Sequence, residues 1–182
     1  MLKQEEIDEI EEFVRPLVNG GFTERDDVAQ HVTDYFEDQF PEQELEPLVA
    51  RVWAERLAEQ ATWPAETETE RVLNALDSLS AKGIVARANF TCCATCGAAE
   101  IGIEAKDGDR GYVFFHQQDT ESAAVGGGLY LSYGTFDDET DAAAIAEEIV
   151  AALTTAGATT VWNGDVDRRI LVSPLRWQVR LK

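Results

Sequence analysis

Catalytic signature motifs are the first thing this sequence lacks. It has no P-loop, no serine nucleophile elbow and no HExxH pair, so no complete catalytic set can be read from motif alone. Positive charge is scarce: four lysines and eleven arginines face 35 acidic side chains, for a formal net charge of -20. Nucleic-acid binding rests on Lys and Arg patches that neutralise phosphates, and docking on anionic lipid uses the same residues. Neither is expected here. No apolar run approaches the roughly 18 residues that cross a bilayer, so no membrane span is expected. The first residues, through Leu2, Lys3, Glu5, Glu6, Ile7 and Asp8, lack a basic stretch followed by an apolar core; no secretory signal is expected and the cytoplasm is the predicted location. Cysteine is rare too. All three sit within 92–96, an odd and clustered set unlike the framework of a disulfide-stapled secreted domain. In a reducing compartment they are thiols, metal ligands or a redox pair.

What is present describes a globular chain. With 182 residues, 45% of them hydrophobic, it has length for one generous domain or for one domain and a smaller companion. A chain of this size buries roughly 70% of its extended surface without help from a metal or disulfide. The acidic excess reads as a solvated exterior, or as a surface for a positively charged protein partner.

The first sixty residues have helical periodicity. Ile7, Ile10, Val14 and Leu17 form one stripe; Val28, Val32, Tyr35 and Phe36 a second; Leu45, Val49, Val52, Trp53 and Leu57 a third. Residues 62–68, polar and with Pro64, read as a linker. Thr67 and Glu70 form a capping box ahead of a fourth helix carrying Val72, Leu76 and Leu79. From Ile84 the period changes to two. Strands are predicted at 84–90, 98–103, 112–116, 129–133, 159–162 and 170–172, and a half-buried edge strand at 175–181. A helix opened by Asp137, Asp138, Thr140 and Asp141 and capped by Gly157 carries Ile145, Ile149 and Leu153. The fold class predicted is α+β: an N-terminal helical segment, then a mostly antiparallel sheet with helices on one face, a ferredoxin-like variant being one option. Residues 1–65 form the helical segment, expected to pack on the rest, and 66–182 the α+β domain.

Two constellations can carry chemistry. In Thr91-Cys92-Cys93-Ala94-Thr95-Cys96-Gly97, the spacing Cys93-x-x-Cys96-Gly97 outlines half a zinc knuckle. The remaining ligands would come from Cys92, His116, His31 or a carboxylate. The redox alternative needs a helix N-terminus to stabilise a thiolate, and the strand expected after Gly97 would remove it. The bland alternative is a tight loop with small semi-buried thiols. The second constellation is His116, Gln117, Gln118, Asp119, Thr120 and Glu121 at the end of a central strand. It gathers polar groups where a ligand pocket can form, with His116 as a base oriented by Asp119 or Glu121, or as a ligand completing the cysteine site. Its bland alternative is an ordinary turn. Trp162 and Asn163, at a predicted hairpin tip, are further candidate ligand-binding residues, against the simpler reading of a turn with a packed indole.

Taken together, Asn89-Phe90-Thr91-Cys92-Cys93-x-x-Cys96-Gly97, the run from Gly111 through His116 to Glu121, Leu131-x-Tyr133-Gly134 and Trp162-Asn163-Gly164 resemble a bacterial, mostly actinobacterial, domain family of unknown function. The likeness covers residues 70–182 with a variable helical lead-in. It implies a cytosolic bacterial protein and brings no activity or cofactor with it. Two functions therefore stand at this stage. The leading one is a non-enzymatic binding or regulatory module with an acidic surface, taking a protein partner or small ligand. The alternative is a zinc-binding or thiol-dependent enzyme or sensor using Cys92, Cys93, Cys96 and His116.

Overall fold

The computed structural model describes residues 2–36 and 39–182. It divides into two compact units, one built from the chain up to Thr67 together with Gln178–Lys182, the other from Glu68–Trp177. Among the described residues no helix is long and apolar enough to cross a membrane.

The first unit holds α1 (Gln4–Gly20), α2 (Arg25–Phe36) and α3 (Glu42–Gln60). The predicted stripes supply its core, except that Tyr35 and Leu57, expected inside, are exposed at 62% and 45%. Ile10, Val14 and Val18 of α1 meet Val28, Val32 and Phe36 of α2 and Leu45, Val49, Val52 and Trp53 of α3. The C-terminal tail closes this core through Leu181. Acidic side chains on these helices are partly neutralised at one cluster, where Glu11 accepts from both Arg15 and Arg51 and Arg15 reaches Glu55 at 3.0 Å.

The second unit is the mixed α+β body. It contains α4 (Glu68–Ser78), β1 (Ile84–Arg87), α5 (Ala94–Glu100), β2 (Gly111–Phe114), α6 (Gln117–Ala124), β3 (Leu129–Thr135), α7 (Ala142–Thr155), β4 (Thr160–Val161) and β5 (Ile170–Val172). The five strands lie in the order β1-β2-β3-β5-β4. Only β1 and β2 run parallel; the other pairs are antiparallel. The strand order thus follows the chain closely instead of interleaving as a ferredoxin-like sheet does. Register separates the faces. Gly111 and Val113 pair with Ile84 and Ala86 on one side of the sheet, the side on which Ile145 of α7 meets Gly111. Phe114 and Tyr112 point to the other side, with Val85, Ile101 and Phe90 packed around them.

Two strand predictions fail. Residues 98–103 are helical: α5 continues into a 3-10 turn at Ile101–Glu104. The apparent alternation of Ile101 and Ile103 misleads because the two residues do different things. Ile101 is buried against Phe114, whereas Ile103 is 82% exposed. The tail at 175–181 is extended but pairs with no strand. Leu175, Trp177, Val179 and Leu181 are buried as their alternation predicted, yet side chains, not a ladder, meet the tail's backbone groups. In the second unit Thr69 donates to the Arg176 carbonyl at 2.9 Å and Glu68 accepts from the Arg176 N–H. In the first, Thr67 donates to the Gln178 carbonyl and Gln60 accepts from the Leu181 N–H. Pairing is needed only where such groups are otherwise orphaned. On the basic face Arg176 and Lys182 are exposed as expected, while Arg180 donates to the Pro64 carbonyl and lies 5.8 Å over the Trp63 ring.

Candidate functional site

The parallel pair β1 and β2 sets the site. Each strand runs directly into a functional segment at its C-terminal end: β1 into the cysteine loop and α5, β2 into His116 and α6. Carboxyl ends of neighbouring parallel strands are where open sheets hold ligands, because the following loops diverge there. Here the two segments are tied together. Phe90 N–H donates to the Phe115 carbonyl at 2.8 Å, Gln117 N–H to the Thr91 carbonyl at 3.1 Å, and the Thr120 hydroxyl to Asn89 Oδ1 at 2.8 Å. This bonding holds Asn89 and Thr91 at φ 51° and 59°, in the left-handed region. For a β-branched residue such as Thr91 that conformation is an outlier. Strain of this kind, about 1–3 kcal/mol per residue, persists where surrounding contacts over-determine it, commonly at functional sites.

Cys93 is the N-cap of α5, with extended backbone, which puts it beside the free amides of the first turn. Cys92 and Cys96 place their sulfurs 3.6 Å apart, and all three sulfurs lie within 4.8 Å of one another. The thiols are free, with Cys92 exposed and the other two half-buried. Hydrogen bonds from the Cys96 amide, then from the Cys96 and Cys92 thiols, hold the Cys93 thiol below its ordinary value. Hydrogen bonding and charge from Cys92 and Cys93 push Cys96 up to about 11. The helix that sequence reading denied this loop is therefore present, and it supplies the amides. Gly97 makes it possible: a Cβ there would lie 2.4 Å from the Phe114 ring, so only glycine lets α5 lie flat on the sheet.

The segment expected as a polar turn is α6, and His116 is its N-cap. His116 and Asp119 are buried, at 5% and 4% exposure. One Asp119 oxygen, Oδ2, receives the His116 N–H at 3.1 Å, His116 Nε2 at 3.0 Å and Arg169 Nη2 at 2.5 Å. An ionised carboxylate only accepts, so the imidazole proton sits on Nε2 and Nδ1 carries the lone pair. Nδ1 is buried and has no hydrogen-bond partner among the described residues. Burial lowers the His116 pKa from its ordinary value; Asp119 pulls it up and Arg169 pushes it down. The ring is thus kept neutral. It does not join the sulfurs: among the described residues the metal-binding group comprises the three cysteines alone. Of the other residues singled out, Gln117 contributes its amide to the cysteine loop, while Gln118 and Glu121 are exposed on α6 and make no bond to this network.

Beside α5 the sheet carries a cleft of about 270 Å³. Ala94 and Ala98 form one wall, Tyr112, Phe114, Ser132 and Tyr133 contribute the sheet, and residues 166–169 form the opposite wall. Trp162 and Asn163 do not line it; they build its wall. Trp162 Nε1 donates to the Tyr133 hydroxyl at 3.0 Å and to the Asp165 carbonyl at 3.1 Å, and Asn163 Oδ1 accepts the Asp165 N–H. Tyr133 donates on to the Arg168 carbonyl at 3.1 Å. Ser132, Arg168 and Arg169 were not found by sequence reading. The one available signal was two adjacent arginines in so acidic a chain.

No curated protein matches the chain, and no solved structure does. A family model described as a domain of unknown function, DUF6891, matches residues 3–181, and the chain belongs to that family.

Proposed function

We propose that the second unit is a metal-binding module in which Cys92, Cys93 and Cys96 hold one thiophilic divalent ion, zinc above all. The observation that carries this reading is the sulfur spacing. Two thiolates each about 2.3 Å from one tetrahedral zinc lie about 3.8 Å apart; Cys92 and Cys96 stand at 3.6 Å, and Cys93 is within 4.8 Å of both. A disulfide would bring two sulfurs to about 2.05 Å and leave the third over. Amides directed at Cys93 favour the thiolate that a metal requires. With three protein ligands the ion keeps an open position, which is the arrangement of exchangeable and catalytic zinc sites, not of closed structural ones. A cytoplasmic location, where thiols are kept reduced, is part of this proposal.

A second reading has its own observation. Cys93 caps α5 and Cys96 lies in its first turn, the Cys-x-x-Cys placement of a thiol pair with one nucleophile, and amide hydrogen bonds lower the Cys93 pKa. Metal analysis of untagged protein purified under reducing conditions separates the two. One equivalent of zinc, lost in Cys96→Ser, supports the metal centre. Metal-free protein in which Cys93 alone alkylates rapidly at neutral pH supports the thiol reading. Metal-free protein with three sluggish thiols returns the account to a binding module with an acidic exterior and a protein partner.

A further inference from the structure

The cleft beside α5 is separate from the sulfur cluster in its lining, which includes no cysteine. Its chemistry can be read from which of its groups are already used. Arg169 is committed to Asp119 and to the Tyr130 carbonyl. Arg168 is held only loosely: its side chain is 75% exposed and its one ion contact among the described residues is Asp165 at 3.8 Å. The hydroxyls of Tyr112 and Ser132 have no hydrogen-bond partner among the described residues. Burial raises the Tyr112 pKa, which keeps that hydroxyl a neutral donor. One largely exposed cation and two hydroxyls without a partner among the described residues therefore line the same hollow, and Asp167 is its one acidic member. The remaining surface is apolar or aromatic: Phe114, Ala94, Ala98 and Val166. At about 270 Å³ the hollow is smaller than the roughly 300 Å³ at which pockets for drug-sized ligands begin, so it suits a body of one ring.

The wall that carries the arginine is held in place before any ligand arrives. Trp162 and Tyr133 clamp its carbonyls, and Asp165 Oδ1 accepts the Asp167 N–H at 3.0 Å. Gly134 leaves room for the Tyr112 hydroxyl, which would lie 2.5 Å from a Cβ at that position. A preformed wall spares a ligand the cost of ordering it.

We propose that this cleft binds a small organic oxyanion, a carboxylate or phosphate monoester on a planar apolar body, with Arg168 as its charge partner and Ser132 and Tyr112 as its hydroxyl donors. The site is independent of the metal centre. Titration calorimetry on the full-length protein at low ionic strength tests it, using benzoate and phenyl phosphate as probes and phenol as the uncharged control. One equivalent of at least one anion is expected to bind more tightly than about 1 mM, and whichever binds identifies the carboxylate or the phosphate class. Phenol is expected to bind at least tenfold more weakly. Arg168→Gln, at an exposed position, is expected to weaken anion binding at least tenfold, and Ser132→Ala severalfold. The triple variant Cys92→Ser, Cys93→Ser, Cys96→Ser is expected to bind the anion unchanged, which separates this site from the metal reading. No binding of either anion at that level, equal binding of phenol, or undiminished binding by Arg168→Gln overturns the proposal.

Discussion

At Asp119 a single carboxylate oxygen receives a backbone amide, an imidazole and a guanidinium. Removing it takes a partner from two side chains at once. Breaking one partner out of a buried pair costs about 3–5 kcal/mol; Asp119→Ala is expected near the lower end, because Arg169 keeps the Tyr130 carbonyl and its side chain is one-third exposed. Chemical denaturation of the variant checks this. His116 carries a pH dependence whose sign follows from its burial. The folded state lowers its pKa below the ordinary 6.5, so on acidification the unfolded chain takes up a proton that the folded chain refuses. The stability from this residue is therefore intact above the unfolded value and is lost as pH falls through the folded one. Between about pH 7.5 and about 5.5 the unfolding midpoint of the natural protein is expected to drop more steeply than that of His116→Asn, in which asparagine still serves as an N-cap. Parallel slopes in the two proteins would contradict this.

At the scale of elements, α5 decides whether the cysteines form a site. The helix lies against Phe114 only because Gly97 has no side chain. Gly97→Ala would drive a methyl into the ring, and overpacking of this kind costs about 1–3 kcal/mol. The variant is expected to lose that much stability and to lose cysteine-dependent metal binding with it; a neutral effect on both would show that α5 can lift freely. Much of the element structure was legible in the sequence because it rests on periodicity. Most of the α1 to α3 stripes, the α7 stripe through Ile145, Ile149 and Leu153, and the apolar strands β2, β3 and β5 became buried faces, whereas Tyr35 and Leu57, at the margins of the second and third stripes, stayed exposed. The two short helices were not legible. In α5 the ladder is too brief to show a period, and Ile101 with Ile103 mimicked a strand. In α6 the cap is a histidine, which works through Asp119 three residues on and not through the hydroxyl or carboxylate that usually marks a helix start. The cysteine cluster and the polar segment after β2 were visible as composition. That they lie side by side depends on the parallel pairing of β1 with β2, a non-local fact that local patterning does not encode.

At the scale of the molecule, the last five residues belong with the first helices and not with the sheet that precedes them in the chain. Leu181 is a member of the α1–α3 core and is 7% exposed. Leu181→Ala is expected to cost about 2–4 kcal/mol. The loss should be confined to the first unit: amide exchange should accelerate in α1 to α3 while β2 and β3 keep their protection. Uniform acceleration across both units would mean that they unfold as one. In the second unit three sulfurs lie within 4.8 Å of one another. Titration of the reduced, metal-stripped protein with Co²⁺, followed by visible absorption, tests the proposed metal centre most directly. The account predicts saturation at one equivalent, with the intense d–d bands of tetrahedral cobalt and thiolate-to-cobalt charge transfer, both abolished in Cys96→Ser and weakened as pH falls because the thiols must give up protons. A spectrum no different from that of Cys96→Ser, or the weak bands of octahedral aqueous cobalt, would contradict it.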